Sequence, residues 1–357
     1  MNKNAKIYIP GHTGLVGSAI YNNLIEKGYT NLIIRTHAEL DLCNQRDVEG
    51  FFTTHKPDYV FLSAAKVGGI KANTNYRADF IYDNLQIQNN IIYQSWKTGV
   101  KKLLFLGSSC IYPRVCPQPI KEEYLLTSEL EHTNEPYAIA KIAGLKLCES
   151  FNFQYNTNFI CVMPTNVYGK EDNFDLDNSH VLAAMIRKML LAKAYEAGDF
   201  SFLKENFLRF GIKKFTNTQI KNFSEEKISG ILNEYGITPD SVTLWGTGAP
   251  RREFIFNKDL ADACVFLMET INAKDLVTDK SVIKNTHINI GTGIDISIKK
   301  LAELVKKTTG YMGAVNWDHS KPDGTMEKRL DITKLASLGW NPQTSLEQGL
   351  MRVVNSI

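Results

Sequence analysis

Hydrophobic positions in this chain fall into short apolar runs, separated by longer segments in which apolar residues recur every three to four positions. The first run is Ile7-Tyr8-Ile9-Pro10. Behind it Leu15, Ala19, Leu24 and Ile25 mark one side of a helix predicted over 15–27. Further runs predict strands over 31–35, 58–65, 103–107 and 158–163. The spacing between them predicts helices over 75–99 and 137–153; in the first, Phe80, Leu85, Ile91 and Ile92 face the sheet and Gly99 is the stop. Strands and helices alternating at this interval imply an α/β fold built on a doubly wound parallel sheet.

After residue 163 the pattern changes. Residues 164–169 read as a loop, and a helix is predicted over 181–197. Residues 198–240 are polar, rich in Phe, Lys and Asn, and carry no dominant period; only Ser224-Glu225-Glu226 ahead of Ile231-Leu232 shows a helix-capping signature. Strands over 242–245 and 287–290, helices over 259–270, 298–309 and 346–354, and a turn over 321–325 complete the reading. With no repeat and no flexible linker, two packed parts are expected. Residues 1–165 form a dinucleotide-binding core. Residues 166–357 form mainly a smaller α/β substrate lobe, with some segments returning to the sheet and the active cleft between the parts.

Composition changes this picture little. The 357 residues carry a formal net charge of +3, with 43% hydrophobic and 22% charged residues, as in ordinary globular proteins. The basic pairs 101–102, 213–214, 299–300 and 306–307 are short solvated faces, so no nucleic-acid partner is expected. No apolar run reaches the roughly 18 residues a membrane helix needs, and residues 1–6 show no signal-peptide core. The cysteines at 43, 110, 116, 148, 161 and 264 lack C-x-x-C or zinc spacing. Reduced thiols in a cytoplasmic protein, without metal, are the expectation.

Two stretches carry chemistry. Gly11-His12-Thr13-Gly14-Leu15-Val16-Gly17 lies between a strand and a helix N-terminus, where backbone N–H groups can hold a pyrophosphate. The spacing is G-x-x-G-x-x-G, a variant of the Rossmann dinucleotide fingerprint. The second strand ends Arg35-Thr36-His37, with no carboxylate until Glu39, which leans toward NADP over NAD. The other stretch is Glu135-Pro136-Tyr137-Ala138-Ile139-Ala140-Lys141, in which Tyr137 and Lys141 project from one helical face. A free tyrosine has a pKa near 10, and a nearby ammonium is expected to lower it, making the pair a proton relay for an alcohol or alkoxide. Ser108 and Ser109 end the apolar strand upstream, where ligands sit in open α/β sheets.

The glycine loop, Ser108 or Ser109, Tyr137 and Lys141 together resemble an extended short-chain dehydrogenase/reductase. Longer stretches are more specific: Ala64-Ala65-Lys66-Val67-Gly68-Gly69-Ile70, Leu106-Gly107-Ser108-Ser109-Cys110-Ile111-Tyr112-Pro113, Asn134 to Lys141, Met163-Pro164-Thr165-Asn166 and Lys321-Pro322-Asp323-Gly324-Thr325. These resemble the GDP-L-fucose synthase family, whose members are GDP-4-keto-6-deoxymannose 3,5-epimerase/4-reductases. The resemblance covers nearly the whole chain except about 195–240. The family's segment there is shorter, so an insertion bordering the sugar pocket is implied.

By that resemblance Ser108 polarises the C4 ketone, Tyr137 donates the proton, and Lys141 lies on the nicotinamide ribose. Cys110 and His180 match the family's acid/base pair for epimerisation. Their unperturbed pKa values lie near neutrality, and a C4 ketone acidifies the protons on C3 and C5. The resemblance assigns Asp41, Leu42, Pro164, Asn166, Val167 and His180 to NADP beside the glycine loop, Arg35 and His37. It assigns Ser109, Lys188, Trp245, Arg252 and Asp323 to the GDP-sugar, with Arg251 an adjacent alternative to Arg252. Position 188 is usually Arg in the family; Lys there is expected to hold phosphate as a point charge. Thr13 and His37 stand where the family often has arginines beside the adenosine 2′-phosphate, which weakens the preference for NADP. Helices 75–99 and 137–153 pair in the family, and surplus apolar residues such as Ile87, Ile91 and Leu147 imply a homodimer.

Three functions remain open at this point. The first is an NADP-dependent C4 reductase of a GDP-4-keto-6-deoxy sugar with C3/C5 epimerase activity. The second is a C4 reductase without epimerase activity, acting on a GDP-4-keto-6-deoxy-heptose or related sugar. The third is a non-catalytic dinucleotide-binding protein, which the intact Ser-Tyr-Lys set argues against.

Overall fold

Strands that are apolar on both sides need both faces covered. The structure, a computed structural model, describes residues 1–213, 215–277, 283–321 and 323–357, apart from the side chains of Ile70 and Lys71. Lys214 of the basic pair, Pro322 of the 321–325 turn and the side chain of Ile70 in the 64–70 motif therefore lie outside the described residues. In chain order the elements are β1 (Ile7–Tyr8), α1 (Leu15–Glu26), β2 (Leu32–Ile33), α2 (Gln45–His55), β3 (Tyr59–Leu62), α3 (Ile70–Asn75), α4 (Arg77–Lys97), β4 (Lys102–Leu106), α5 (Glu135–Tyr155) and β5 (Phe159–Pro164). There follow β6 (Asn166–Tyr168), α6 (Val181–Glu196), α7 (Phe200–Phe210), α8 (Asn217–Lys221), α9 (Glu225–Glu234), β7 (Ser241–Trp245), β8 (Arg251–Phe256) and α10 (Asn257–Thr270). The last are β9 (Ile288–Ile290), β10 (Asp295–Ser297), α11 (Ile298–Thr309), β11 (Ala314–Asp318), β12 (Glu327–Lys328), α12 (Thr333–Ser337) and α13 (Leu346–Val354).

The principal sheet has six strands in the order β2-β1-β3-β4-β5-β9, all paired in parallel. Side chains alternate between its faces, as strand geometry requires. Ile7, Ile9, Leu104 and Leu106 enter one core with Ala19, Ile20 and Leu24 of α1 and the buried side of α10. Tyr8, Leu103 and Phe105 enter the other, with Ile91 and Ile92 of α4 and Leu145 of α5. This is the Rossmann-like doubly wound arrangement expected from the sequence. In α1 the buried stripe is Gly17, Ala19, Ile20 and Leu24, while Ile25, expected on the apolar side, is exposed.

A third core belongs to the second half of the chain. Residues 164–169, expected as a loop, contain the end of β5 and all of β6, which pairs with β8. The polar stretch 198–240 forms α7, α8 and α9, the last beginning at the Ser224 cap foreseen. Leu203, Phe207, Ile220, Ile228, Ile231 and Leu232 insert from these helices into the core around α6 and α11, so the segment is integral to it. Arg187 of α6 is wholly buried and locks the join: Nε donates to Asn206 Oδ1 (2.9 Å), Nη1 to the Phe174 carbonyl (2.9 Å) and Nη2 to the Gly211 carbonyl (2.7 Å). Among the described residues no helix is long and apolar enough to cross a membrane. None of their His, Cys, Asp and Glu side chains cluster as a metal site.

Candidate active site

The glycine loop is shaped by two positions that tolerate nothing larger. Gly11 adopts φ +89°, and a Cβ there would stand 2.7 Å from the Ala64 nitrogen. A Cβ on Gly17 would stand 2.0 Å from the Gly11 carbonyl oxygen, so helix and turn meet backbone to backbone. Gly14 is exposed and caps α1 without a side-chain hydrogen bond, and the first turn has no acidic residue. The leading N–H groups of α1 are thus left for an anion. His12 Nδ1 is buried there with no hydrogen-bond partner among the described residues. A bare helix start, a close-packed turn and an orphaned polar atom fit the pyrophosphate of a dinucleotide.

The end of β2 is less open than the sequence suggests. Arg35 donates from Nη1 to the Ile34 carbonyl (2.7 Å), and its Nη2 lies 3.4 Å from His55 Nε2. Its guanidinium also lies over the Phe51 ring, so it leans on α2, an element the sequence reading omitted. His37 is exposed, with Nδ1 3.9 Å from Asp41, and Thr13 is exposed beside the loop. The Leu42 carbonyl is held by Asn90 Nδ2 at 2.9 Å, and Asn166 Nδ2 donates to the Glu253 carbonyl at 2.7 Å, ordering the segments around Pro164 and Val167.

The catalytic candidates converge where β4 ends and α5 begins. Gly107 lets β4 leave the sheet against Met163, whose Sδ would be 2.2 Å from a Cβ. Ser108 Oγ accepts from the Cys110 N–H (3.2 Å) and hydrogen-bonds the Tyr137 hydroxyl. Lys141 is 3% exposed; Nζ donates to the Leu106 carbonyl (2.9 Å) and lies 5.8 Å from the centre of the Tyr137 ring. Burial pushes Lys141 down to about 7. Burial also raises the Tyr137 hydroxyl well above its ordinary value, and a Cys110 thiolate adds to the rise while the Ser108 hydrogen bond opposes it. The expected lowering of Tyr137 by Lys141 is therefore corrected for the free protein: burial dominates, and Lys141 is not among the groups that shift the phenol. The phenol remains a proton-bearing acid, which suits reduction of a ketone.

Cys110 lies in the turn Ser109–Ile111, with Ser109 buried beside it. Asn134 Nδ2 approaches its Sγ at 3.3 Å and Lys328 Nζ at 3.7 Å. His180 stands exposed at the N-terminus of α6, where the neighbouring protein still lowers its imidazole below the ordinary value by desolvation. The two-glycine loop after β3 connects these parts. A Cβ on Gly68 would stand 3.2 Å from Phe80, whose ring meets Tyr137 edge-on at 6.5 Å. Gly69 donates its N–H to the Asn178 carbonyl (3.3 Å), and a Cβ there would crowd Asn178 and Ser179 at 3.1–3.2 Å. One loop thus touches both the Tyr137 neighbourhood and the turn leading to His180.

At the rim, Trp245 is 66% exposed at the end of β7, with Lys321 Nζ 5.6 Å above its ring. Asp323 accepts from the Thr247 N–H (2.9 Å) and Oγ1 (2.6 Å). Arg252 Nη2 would lie 2.9 Å from a Cβ on Gly324, so Arg252 and the 323–325 turn share one place. Arg251 closes a two-pronged pair on Asp295 (2.8 and 2.9 Å), whereas Arg252 bonds to main-chain carbonyls of Arg251 and Thr325. Of the two, only Arg252 leaves its fork unclaimed by a carboxylate. Lys188 does not sit as a free point charge. Its buried Nζ donates to the carbonyls of Tyr235 (2.7 Å) and Thr243 (3.0 Å), and burial lowers it to about 8. Asn134 was visible inside a motif. Lys328 was not, because the two-residue strand that carries it has no pattern of its own.

Comparison with known proteins agrees with this geometry. The model of the NAD dependent epimerase/dehydratase family matches residues 7–205 and 203–291. A GDP-L-fucose synthase of Arabidopsis thaliana is 49% identical over 349 residues, spanning 98% of this chain and 92% of that protein. A GDP-6-OMe-4-keto-L-xylo-heptose reductase from Campylobacter jejuni superimposes with a TM-score of 0.92 at 44% identity, covering 99% of this chain and 98% of that one. A GDP-D-glycero-L-gluco-heptose synthase from the same organism, solved in the presence of NADPH, gives 0.90 at 43% identity over 100% and 99%. The chain belongs to the NAD dependent epimerase/dehydratase family.

Proposed function

We propose that this enzyme uses NADPH to reduce the C4 ketone of a GDP-4-keto-6-deoxy sugar, with epimerisation at C3 and C5 as in GDP-L-fucose synthesis. The observation that carries the reading is the Ser108–Tyr137–Lys141 cluster at the carboxyl end of β4, with Lys141 buried and Ser108 and Tyr137 half-buried, in the same sheet as an open pyrophosphate cradle. The relatives act on GDP-linked sugars by name, and the neighbouring heptose synthase was solved with NADPH. Residues 1–165 hold the cofactor in this reading, and residues 166–357 mainly hold the sugar nucleotide. The enzyme works in the cytoplasm.

NADPH, when bound, supplies the hydride for C4. Gly11 to Gly17 hold its pyrophosphate, and Lys141 orients its ribose while anchored on the Leu106 carbonyl. Ser108 polarises the ketone oxygen. Tyr137, kept protonated by burial, delivers the proton as negative charge develops on that oxygen. Cys110 and His180 remove and return protons at C3 and C5, where the neighbouring ketone stabilises the carbanion as an enolate. Asn134 and Lys328 hold the sulfur in place. Trp245 offers a flat face to the nucleotide, and Arg252 a fork to its diphosphate.

A second reading, C4 reduction of a GDP-4-keto-6-deoxy-heptose without epimerisation, is favoured by the Campylobacter jejuni neighbours. Loss of absorbance at 340 nm with NADPH and each sugar nucleotide tests both. Turnover of the hexose supports the first reading and turnover of the heptose alone the second; no turnover of either overturns both. NADPH should exceed NADH in kcat/KM, but by a modest margin. Thr13 and His37 replace two arginines, and Arg35 must leave His55 to reach a 2′-phosphate. Equal or better efficiency with NADH would refute this.

The enzyme is proposed to be a homodimer through α4 and α5. The supporting residues differ from those expected: Ile91 is wholly buried within the protomer, and Ile87 and Leu147 are half-buried. The exposed apolar surface is aromatic, with Tyr82 61% and Phe153 68% exposed, and Tyr93 and Tyr155 beside Trp96. Light scattering at micromolar concentration should give twice the protomer mass, and Phe153→Glu should shift it toward the monomer. A monomeric wild-type protein contradicts the proposal.

A further inference from the structure

The segment 198–240 touches the turn before His180 through the Tyr235 side chain. Tyr235, at the end of α9, donates its hydroxyl to Asp177 Oδ2 at 2.7 Å. Asp177 lies three positions before His180, in a turn built around Asp175. Asp175 Oδ1 accepts from the N–H groups of Asp177 (3.1 Å) and Asn178 (2.9 Å), and its carbonyl accepts from the Ser179 N–H (2.9 Å). On its other side the turn is met by Gly69, through the Asn178 carbonyl. The turn is thus gripped between the loop that follows β3 and the α7–α9 segment.

The same segment also grips the helix that His180 begins. Lys188 binds the Tyr235 carbonyl, and Arg187 binds Asn206 and the Gly211 carbonyl. Tyr235 therefore holds α6 with its backbone and the preceding turn with its side chain. Its hydroxyl is raised well above its ordinary value by burial and by the Asp177 hydrogen bond, so it stays a donor throughout the working pH range. A proton-transfer group must be placed closely, and a displacement of about 1 Å can cost on the order of 100-fold in rate.

We infer that Tyr235 is a positioning residue for His180, and that the α7–α9 segment is a brace setting where that imidazole meets the sugar. The inference rests on His180 serving proton transfer as proposed above. It also accounts for the setting of Lys188, whose ammonium the brace engages through the Tyr235 carbonyl.

The test compares wild type with Tyr235→Phe, which keeps the ring and removes only the donor. Two readouts are taken: backbone amide hydrogen exchange of the protein without substrate, and deuterium entry at C3 and C5 of the GDP-keto sugar against NADPH oxidation. Exchange across 175–181 should accelerate in the variant while that across 137–145 stays unchanged. Deuterium entry should slow about 10-fold, with NADPH oxidation within about 2-fold of wild type. A loss of folded protein would slow both reactions equally, so the change in their ratio marks positioning. Asp177→Asn, which keeps an acceptor for Tyr235, should retain the wild-type ratio. Unchanged exchange across 175–181, or an unchanged ratio, overturns the inference. If the wild-type enzyme admits no deuterium, the epimerase reading fails on its own. Amide exchange and the KM for the keto sugar, expected to rise in Tyr235→Phe, then decide the brace, and neither changing overturns it.

Discussion

Tyr137→Phe should lose roughly 10²–10⁴-fold in the rate of C4 reduction while NADP binding stays close to wild type. The substitution removes one oxygen and leaves the ring that Phe80 meets edge-on, so packing at the start of α5 is retained. What disappears is the acid. Burial keeps the Tyr137 proton on its oxygen in the free protein. The measurement is single-turnover oxidation of NADPH, with cofactor affinity followed separately by calorimetry. Near-wild-type turnover would sink the assignment of Tyr137, and loss of cofactor affinity together with turnover would mean the substitution had disturbed the cradle.

The parts of the fold that depend on local pattern were legible in the sequence. The turn Gly11 to Gly17 is readable because two of its glycines are forced by close backbone contact and the third leaves a helix start open. Tyr137 and Lys141 are readable because four residues of helix put them on one side. The missed elements owe their form to distant partners. Helix α2 is a polar stretch held by its Asn44 cap, and it becomes visible only when Val48, Phe51 and Phe52 meet Tyr8. Strand β8 begins with two arginines, which conceals a buried strand pairing with β6, β10 and β12. Its Glu253 is wholly buried, and its carboxylate accepts from the N–H groups of Gly293 (2.7 Å) and Leu330 (2.8 Å). No local rule anticipates that arrangement. The choice between Arg251 and Arg252 turned on Asp295, more than 40 positions away. The setting of Lys188 was hidden for the same reason, since Tyr235 and Thr243 supply its partners from 47 and 55 residues along the chain.

Cys110→Ser and His180→Asn should separate inversion from reduction. Both epimerisable carbons flank one ketone, so a single pocket can serve proton exchange and hydride delivery without moving the sugar far. Both substitutions leave Tyr137, Lys141 and the Leu106 carbonyl that anchors the lysine in place. In Cys110→Ser the Asn134 amide and Lys328 ammonium keep an oxygen to bind, so the turn Ser109–Ile111 is retained while the more acidic thiol is lost. In His180→Asn the helix gains a residue favoured at an N-cap, where the imidazole makes no capping hydrogen bond, so α6 should not loosen. The expected loss is therefore chemical. Deuterium entry at C3 and C5 should fall by roughly 10²-fold or more, and reduction should continue to a 4-hydroxy product with C3 or C5 uninverted. Mass spectrometry of products formed in deuterated water reads both outcomes together. If the wild-type enzyme incorporates no deuterium at either carbon, Cys110 and His180 become binding groups, and inversion must be supplied by a separate epimerase acting before this reductase.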